Sequence, residues 1–176
     1  MRREGESGFS MMEVLVTIAI LVVGLLGMVG LQLRATAMEL ESYQRAQALI
    51  LLQDMADRLS TNKVQAASYI ASDVGASGAE QTCGALSSAA RDLCEWNNVL
   101  VGAAEKSGTR KIGAMIGARG CITSPAANVY LITIAWQGLS PTVVPAGSTC
   151  GQNAYGDDRQ RRIATVVVRV ATLSAT

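Results

Sequence analysis

The feature that most constrains this chain is an uninterrupted apolar run close to its N-terminus. From Val14 to Leu31 the sequence reads VLVTIAILVVGLLGMVGL, which is 18 residues without a charge and with Thr17 as its polar exception. A run of about 18 or more apolar residues is long enough to be a candidate membrane-spanning helix. A helix of a soluble domain would keep a polar stripe, and this run has none. The run therefore predicts a helix that spans a membrane.

Three kinds of export segment contain such a run. A cleaved secretory signal has a shorter apolar region of about 7–15 residues, followed by a small-residue cleavage site; the triplet Ala-Thr-Ala at 35–37 has that form, although the run before it is longer. A lipoprotein signal needs a cysteine directly after the run, and the first cysteine here is Cys83. The third kind is cut before the run, after a short charged leader that ends in glycine. Residues 1–8, MRREGESG, followed by Phe9, have this form.

The stretch GFSMMEVLVTIAIL resembles the class III signal of type IV pilins and of the pseudopilins of type II secretion. That signal places a glycine before the cut, a phenylalanine after it and a glutamate five residues into the mature chain, which correspond to Gly8, Phe9 and Glu13. The resemblance implies that a membrane aspartyl prepilin peptidase cuts between Gly8 and Phe9 and methylates the new amino group of Phe9. Met11 and Met12 replace the more usual Leu, Ile or Thr and keep the segment apolar.

A larger part of the chain resembles one group of that family, the minor pilins of the PilV type (type IV pilus modification proteins). The similarity is strongest over residues 8–59, includes the late stretch YLITIAWQG…RRIATVVVRV and is looser over residues 60–127. It implies a subunit anchored in the lipid of the bacterial inner membrane, with a periplasmic head. Such a subunit joins other minor pilins and the major pilin, as part of a complex that primes or caps a type IV pilus at its tip. A pseudopilin of type II secretion is the alternative, since it shares the same N-terminal segment.

Glu13 is the one charged residue between Phe9 and Leu33. A charge at the centre of a membrane helix costs about 2.5–3.5 kcal/mol on insertion scales, and one turn from the helix start the cost is smaller. The resemblance implies that Glu13 pairs with the N-terminal amine of a neighbouring subunit during assembly. Two other interpretations stay open. The carboxylate can snorkel to the cytoplasmic headgroups, or it can gain about 0.3–1 kcal/mol from its place near a helix N-terminus.

Three glycines, Gly24, Gly27 and Gly30, recur at every third position of the apolar run. They share one broad helix face, where small residues let a second helix approach closely. Glycine also weakens a helix by up to about 1 kcal/mol relative to alanine in water. The spacing is consistent with close packing or local melting inside a pilus, and equally with the tolerance of glycine in membrane helices.

Composition argues against several classes of function for the remainder of the chain. The net charge of +1 lacks the basic excess of nucleic-acid-binding domains, and acids offset the basic cluster DDRQRR at 157–162, which we interpret as a solvated turn. The sequence has no histidine, the commonest general base and metal ligand. We therefore predict a non-enzymatic structural protein with no cofactor, no metal and no nucleic-acid partner. A periplasmic enzyme or binding protein on an uncut anchor is the alternative from a different class.

Residues 34–59 are predicted to continue the N-terminal helix beyond the membrane. Within them Leu49–Leu52, Met55 and Leu59 form an apolar patch that is expected to pack on a globular head. A long helix, half in the membrane and half in the head, is the architecture of pilins.

The head itself is predicted to combine helix and sheet, which makes the fold α+β. The Gly/Ser/Ala-rich residues 72–82 predict a loop, and the 3.6-residue period of residues 87–105 predicts a second helix. Residues 128–136 and 162–172 are rich in β-branched side chains and predict neighbouring strands of a small antiparallel sheet, joined by a long loop. The predicted segments are a cleaved leader (1–8), the membrane half of the helix (9–33), its amphipathic half (34–59) and a disulfide-bonded head (60–176).

Four cysteines, Cys83, Cys94, Cys121 and Cys150, lie in the head and include no CxxC pair. An even number in an exported chain favours disulfides formed in an oxidising compartment. Four cysteines allow three connectivities, and the pairing of sequence neighbours is favoured. A Cys83–Cys94 bond would hold the Gly-rich loop to the second helix. A Cys121–Cys150 bond would hold the long loop beside the first predicted strand.

Overall fold

The structure, a computed structural model, describes residues 9–108, 110–112 and 114–171. The leader predicted at residues 1–8, with Gly8 of the predicted cut site, lies outside the described residues, as do residues 172–176 of the predicted head. The chain divides into two compact units between Leu40 and Glu41. The helices are α1 (Met11–Thr61) and α2 (Ser88–Leu100), with 3₁₀ segments at Lys63–Tyr69 and Asp158–Gln160. The strands are β1 (Ala71–Val74), β2 (Lys106–Ser107), β3 (Arg110–Lys111), β4 (Arg119–Ala126), β5 (Val129–Gln137) and β6 (Arg161–Arg169).

The predicted α+β class is confirmed. A long N-terminal helix and a second helix accompany a small antiparallel sheet in the order β1-β4-β5-β6, an arrangement consistent with a pilin-like fold. Strands β2 and β3 form a separate two-stranded hairpin. The two strands predicted from alternation, β5 and β6, are neighbours and pair antiparallel from Val129↔Arg169 to Gln137↔Arg161.

Strand β4 was not predicted from the sequence, because Pro125 interrupts its pattern. Proline cannot donate to a strand ladder and is confined to edges and bulges. The register between β4 and β5 shifts between Thr123 and Ala126, so Pro125 lies at that irregularity. The next residues form the turn into β5, where Asn128 has a φ of 58°, a conformation that asparagine tolerates better than most residues.

Strand β1 corrects the prediction of a loop over residues 72–82. Its four residues, Ala71–Val74, pair with β4 through an irregular register, and Asp73 has a φ of 54°. The segment lacks the alternation that predicts a strand and has one β-branched residue, Val74. Its pairing is therefore imposed by the neighbouring strand rather than by local propensity.

The part of α1 within the head packs through one stripe of its surface. Its buried residues recur at helical spacing, and they are Gln44, Ala48, Leu52, Met55, Ala56 and Leu59. The predicted patch is therefore wrong in part, since Leu49 and Ile50 are 52% and 66% exposed. Both lie off the stripe set by the 3.6-residue period, and small residues at Ala48 and Ala56 take their place.

Trp96 on α2 lies at the centre of the head core and is fully buried. Its indole Nε1 donates a hydrogen bond of 3.2 Å to the carbonyl of Leu51 on α1, which satisfies the one polar atom of the ring. The ring lies so close to β4 that a Cβ added to Gly120 would meet it at 2.3 Å. Glycine at position 120 is therefore required by the close approach of α2 to the sheet.

Helix α2 ends at Leu100 and not at residue 105 as predicted. Gly102 has a φ of 67°, which is the left-handed conformation that commonly ends a helix. The amide of Gly102 donates to the carbonyl of Val99 at 3.0 Å, and that of Ala103 donates to Asn98 at 2.8 Å. These two bonds form the Schellman motif, which stops the helix despite the apolar spacing that continues beyond it.

Candidate functional site

The first candidate site is the start of α1, where the predicted mature chain begins. Phe9 is 81% exposed. Ser10 precedes the helix, and its carbonyl accepts hydrogen bonds from the amides of Glu13 at 3.0 Å and Val14 at 3.3 Å. The Ser10 hydroxyl oxygen also accepts from the Met12 amide at 3.4 Å. Ser10 thus caps the helix, and Glu13 lies in its first turn, near the positive end of the helix dipole.

Glu13 presents its carboxylate on the exposed surface of this turn. None of the ion pairs between described residues includes Glu13. A carboxylate at the edge of an apolar segment is stabilised by a cation. The described part of the chain therefore leaves the Glu13 carboxylate open to a partner from outside it.

The helix that follows Glu13 is long and apolar enough to cross a membrane, by its length and composition. Residues 14–33 carry no charge, and at 1.5 Å per residue these 20 positions span about 30 Å, the thickness of a bilayer core. Within the run, the Thr17 hydroxyl donates to the carbonyl of Val14 at 2.8 Å. The hydroxyl is thus satisfied inside the helix, as lipid surroundings require. This segment is compatible with membrane anchoring.

Gly24, Gly27 and Gly30 lie on the open surface of the same segment. A Cβ added to any of the three would meet nothing within 4 Å. No contact among the described residues therefore requires glycine at these positions. Their predicted role in helix packing concerns a partner helix and stays a prediction.

In the head, two disulfides join the cysteines. Cys83 is bonded to Cys94 and Cys121 to Cys150, which are the pairs that the sequence favours. The first bond ties the Gly-rich segment to α2. The second ties residue 150 of the long loop to β4.

A second set of contacts, centred on Arg161, holds the long loop. These contacts were not predicted from the sequence. This side chain is 2% exposed, which corrects its interpretation as part of a solvated turn. Its guanidinium pairs with Asp158 at 2.8 Å. It also donates to the carbonyls of Ser148 at 2.9 Å, Cys150 at 3.2 Å and Pro145 at 3.2 Å. These five groups are named here the Arg161 clamp.

The start of the long loop is tied to α1 through Glu41. Its carboxylate accepts from the Leu139 amide at 3.1 Å and from the Arg162 guanidinium at 3.2 Å. Arg162 also donates to the Ser140 carbonyl at 2.7 Å. Two of the three arginines in DDRQRR therefore hold the fold together, and the exposed Arg159 pairs with its neighbour Asp157 at 2.8 Å.

The Gly-rich segment is held to α2 by a pair of asparagines. Asn97 is 2% exposed, donates to the Ala79 carbonyl at 3.0 Å and accepts from the Gly75 amide at 3.0 Å. Asn98 makes a similar pair of bonds, both of 2.8 Å, with the backbone of Gln81. Two consecutive asparagines near the end of the predicted helix could have indicated these contacts, since an asparagine side chain can both donate and accept hydrogen bonds.

An ionic network links α2 to the C-terminal end of α1. The Arg58 guanidinium pairs with Asp54 at 3.1 Å, as predicted from their i,i+4 spacing, and also with Asp92 at 3.1 Å and Glu95 at 2.6 Å. Burial lowers the pKa of Arg58, but hydrogen bonds to Glu95 and Asp54 outweigh it and raise that pKa. Burial, and the hydrogen bond that Tyr69 donates to Asp92, raise the pKa of Tyr69 to about 12. The ion pairs of Arg58 with Asp92 and Glu95 therefore join α1 to α2.

Removal of each disulfide tests which bond contributes more to the stability of the head. In the chain-entropy account, closing loops of 29 and 11 residues stabilises by about 3.6 and about 2.8 kcal/mol respectively. We expect Cys121→Ser with Cys150→Ser to lower the free energy of unfolding more than Cys83→Ser with Cys94→Ser does. Urea denaturation of the full chain in detergent micelles measures both. The reverse order would contradict the role assigned to the Cys121–Cys150 bond.

The chain was also compared with known proteins. Comparison with protein-family models, with curated proteins and with solved structures found no match. Among the described residues, no group of three or more His, Cys, Asp or Glu side chains could hold a metal ion. The start of α1, the apolar segment and the disulfide-bonded head are therefore the features from which a function can be inferred.

Proposed function

We propose that this chain is a minor pilin, a membrane-anchored subunit that takes part in the assembly of a type IV pilus. The proposal rests on the order and spacing of the features at the N-terminus. A Gly8–Phe9 junction directly precedes a capped helix with Glu13 in its first turn and an exposed apolar segment after it. In this register, cleavage at the junction creates an amine close to the membrane face that Glu13 also occupies.

The assembly step follows from the physics of the apolar segment. Leaving lipid for the core of a filament exchanges one apolar environment for another, so hydrophobicity alone does not select neighbours. A directional contact is needed. An ion pair between the Glu13 carboxylate and the Phe9 amine of a neighbouring subunit supplies it, because a carboxylate in an apolar setting is stabilised by a cation.

The cellular location belongs to the same proposal. In this proposal the apolar segment anchors the chain in the inner membrane of a bacterium, and the head lies in the periplasm and later in the pilus, at its tip. Two disulfides in the head support an oxidising compartment. Prepilin peptidase, other minor pilins and the major pilin are the proposed partners.

Mass spectrometry of the chain extracted from the membranes of the cells that produce it tests the proposal. We expect a chain that begins at Phe9 and carries one methyl group on its N-terminal amine. A chain that begins at Met1 would favour an enzyme or binding protein on an uncut anchor, and one that begins after Ala37 would indicate a secretory signal. To separate a pilin from a pseudopilin, the processed chain is sought in sheared pili, where a type II secretion subunit is not expected.

A further inference from the structure

The two edge strands of the four-stranded sheet, β1 and β6, differ in whether they carry features that prevent pairing with a further strand. Edge strands present unpaired N–H and C=O groups, and proteins commonly blunt them with short strands, bulges, proline or lysine. The β1 edge is blunted, since it has four residues, an irregular register and a left-handed Asp73. The β6 edge is nine residues long, pairs with β5 without irregularity and contains neither proline nor lysine.

The hydrogen bonds at the two ends of β6 show which of its residues face outward. The Gly138 amide donates to the Gln160 carbonyl at 2.7 Å, and the Val170 amide donates to the Asn128 carbonyl at 2.9 Å. In an antiparallel pair, bonded and non-bonded positions alternate, so even-numbered residues of β6 bond to β5. The odd-numbered residues turn their N–H and C=O groups away from the sheet, and those beyond Arg161 are Ile163, Thr165, Val167 and Arg169.

This outward row is uncovered in the described part of the chain. Apart from the sheet's own ladder, no backbone hydrogen bond between described residues reaches these four positions. Thr165 and Arg169 are exposed, and Val167 is 55% exposed. The row therefore combines free backbone groups with exposed side chains at Thr165, Val167 and Arg169, whereas the Ile163 side chain is partly buried.

The charges of β6 indicate what kind of strand the row accepts. Arg161 and Arg162 are paired with Asp158 and Glu41 at 2.8 Å and 3.2 Å. None of the ion pairs between described residues includes Arg169. Opposite charges on directly paired strands are stabilising, and like charges are destabilising. A second copy of β6 would bring arginines and no acid, so an acidic strand from another protein is the better complement.

We propose that the outward edge of β6 binds an extended segment of another protein, which adds a fifth strand to the sheet. The segment contributes backbone groups that pair with Ile163, Thr165 and Val167, and an acidic residue near Arg169. Backbone hydrogen bonds give affinity in such strand addition, and alternate side chains give specificity. This inference does not depend on the proposed pilus function.

A pair of peptides tests the edge in the full chain in detergent micelles. The probes are acetyl-ETVTVTVE-amide and its charge-reversed form acetyl-KTVTVTVK-amide. We expect the acidic peptide to slow amide hydrogen exchange of Ile163, Thr165 and Val167 by roughly tenfold, because these amides gain a partner. The amides of Ala164 and Val166 already bond to β5 and serve as internal references. Equal protection by the basic peptide would overturn the predicted acidic partner.

The substitution Thr165→Pro in the protein gives a second test of the edge. Proline is tolerated on an edge strand where its missing N–H would face solvent, so the ladder to β5 is expected to survive and the melting temperature to stay close to that of the unchanged chain. We expect Thr165→Pro to abolish the protection, and Thr165→Val, which keeps the N–H, to retain it. If Thr165→Pro unfolds the head, then Val167→Pro gives the same test.

Three results would overturn the inference. The first is slow exchange of the outward amides without any peptide, which would show that the edge is already covered. The second is unchanged protection in the proline variant. The third is a dimer of the full chain in sedimentation that Thr165→Pro dissociates, because the occupant would then be a second copy. All three readouts are independent of processing at Gly8, so they can fail while the proposed function stands.

Discussion

Arg161→Met is expected to lower the free energy of unfolding of the head by about 3 kcal/mol, because each buried acceptor that loses its donor costs about 1–3 kcal/mol. Arg161 is 2% exposed. Its loss leaves the Asp158 carboxylate without its cation and the carbonyls of Ser148, Cys150 and Pro145 without their donor. Methionine keeps much of the volume of the side chain, so that the effect reports the Arg161 clamp rather than a cavity.

Arg159→Met is the matched control for this change. Arg159 lies two residues earlier, is 61% exposed at its side chain and pairs with Asp157 on the surface. Surface ion pairs contribute about 0–1 kcal/mol, so the control is expected to change stability by no more than that. Urea denaturation of the full chain in micelles measures both variants. Equal effects would show that the clamp does not hold the long loop.

The clamp also predicts the direction of one pH dependence. Hydrogen bonds from Arg161 hold the pKa of the Asp158 carboxyl below its ordinary value of 3.8. A carboxyl with a lowered pKa stabilises the fold fully above its unfolded value, and this contribution is lost as the pH falls through the folded value. We therefore expect the unchanged chain to lose stability on acidification below pH 3.8, and Arg161→Met to lose less over the same range.

Glu13→Gln is expected to reduce the amount of the chain in sheared pili by roughly tenfold or more, which corresponds to a loss of about 1.4 kcal/mol or more per contact. Glutamine keeps the shape of the side chain and removes its charge. If Glu13 pairs with the Phe9 amine of a neighbour, the variant leaves that amine without its anion in an apolar setting. Immunoblotting compares the amount of the chain in pili with the amount in membranes. Mass spectrometry shows whether the chain is still cut between Gly8 and Phe9.

Glu39→Gln is the control on the same helix. Glu39 is exposed, and none of the ion pairs between described residues includes it. The same loss of one charge there is expected to leave incorporation unchanged. Normal incorporation of Glu13→Gln would show that Glu13 is a helix-end or headgroup contact and not an assembly contact.

The elements that the sequence could predict are those whose side chains alternate or recur strictly. The apolar run from Val14 defines α1, and β-branched alternation defines β5 and β6. Strand β4 contains Pro125, and β1 has one β-branched residue among its four, so both depend on partners distant in sequence. The end of α2 at Leu100 depends on the backbone conformation of Gly102, which apolar spacing does not report.

The candidate site shows the same division. The start of α1 is a local motif, so the prediction for Gly8, Phe9 and Glu13 rests on their spacing in the sequence and stays a prediction. The burial of Arg161 could not be predicted, because a short run that mixes acids and arginines is typical of a solvated turn. Its carbonyl partners lie in the long loop, which the Cys121–Cys150 bond ties to β4 and which is distant from Arg161 in the predicted pattern.

The ties on the long loop have an evolutionary consequence. Glu41, Arg162 and the Arg161 clamp hold the backbone of the loop, while the side chain of Val143 is 86% exposed. Substitutions in surface positions away from such ties usually change stability by less than about 0.5 kcal/mol. The side chain at position 143 can therefore vary between related chains at little cost in stability, whereas changes at Glu41, Arg161 or Arg162 remove contacts that hold the loop.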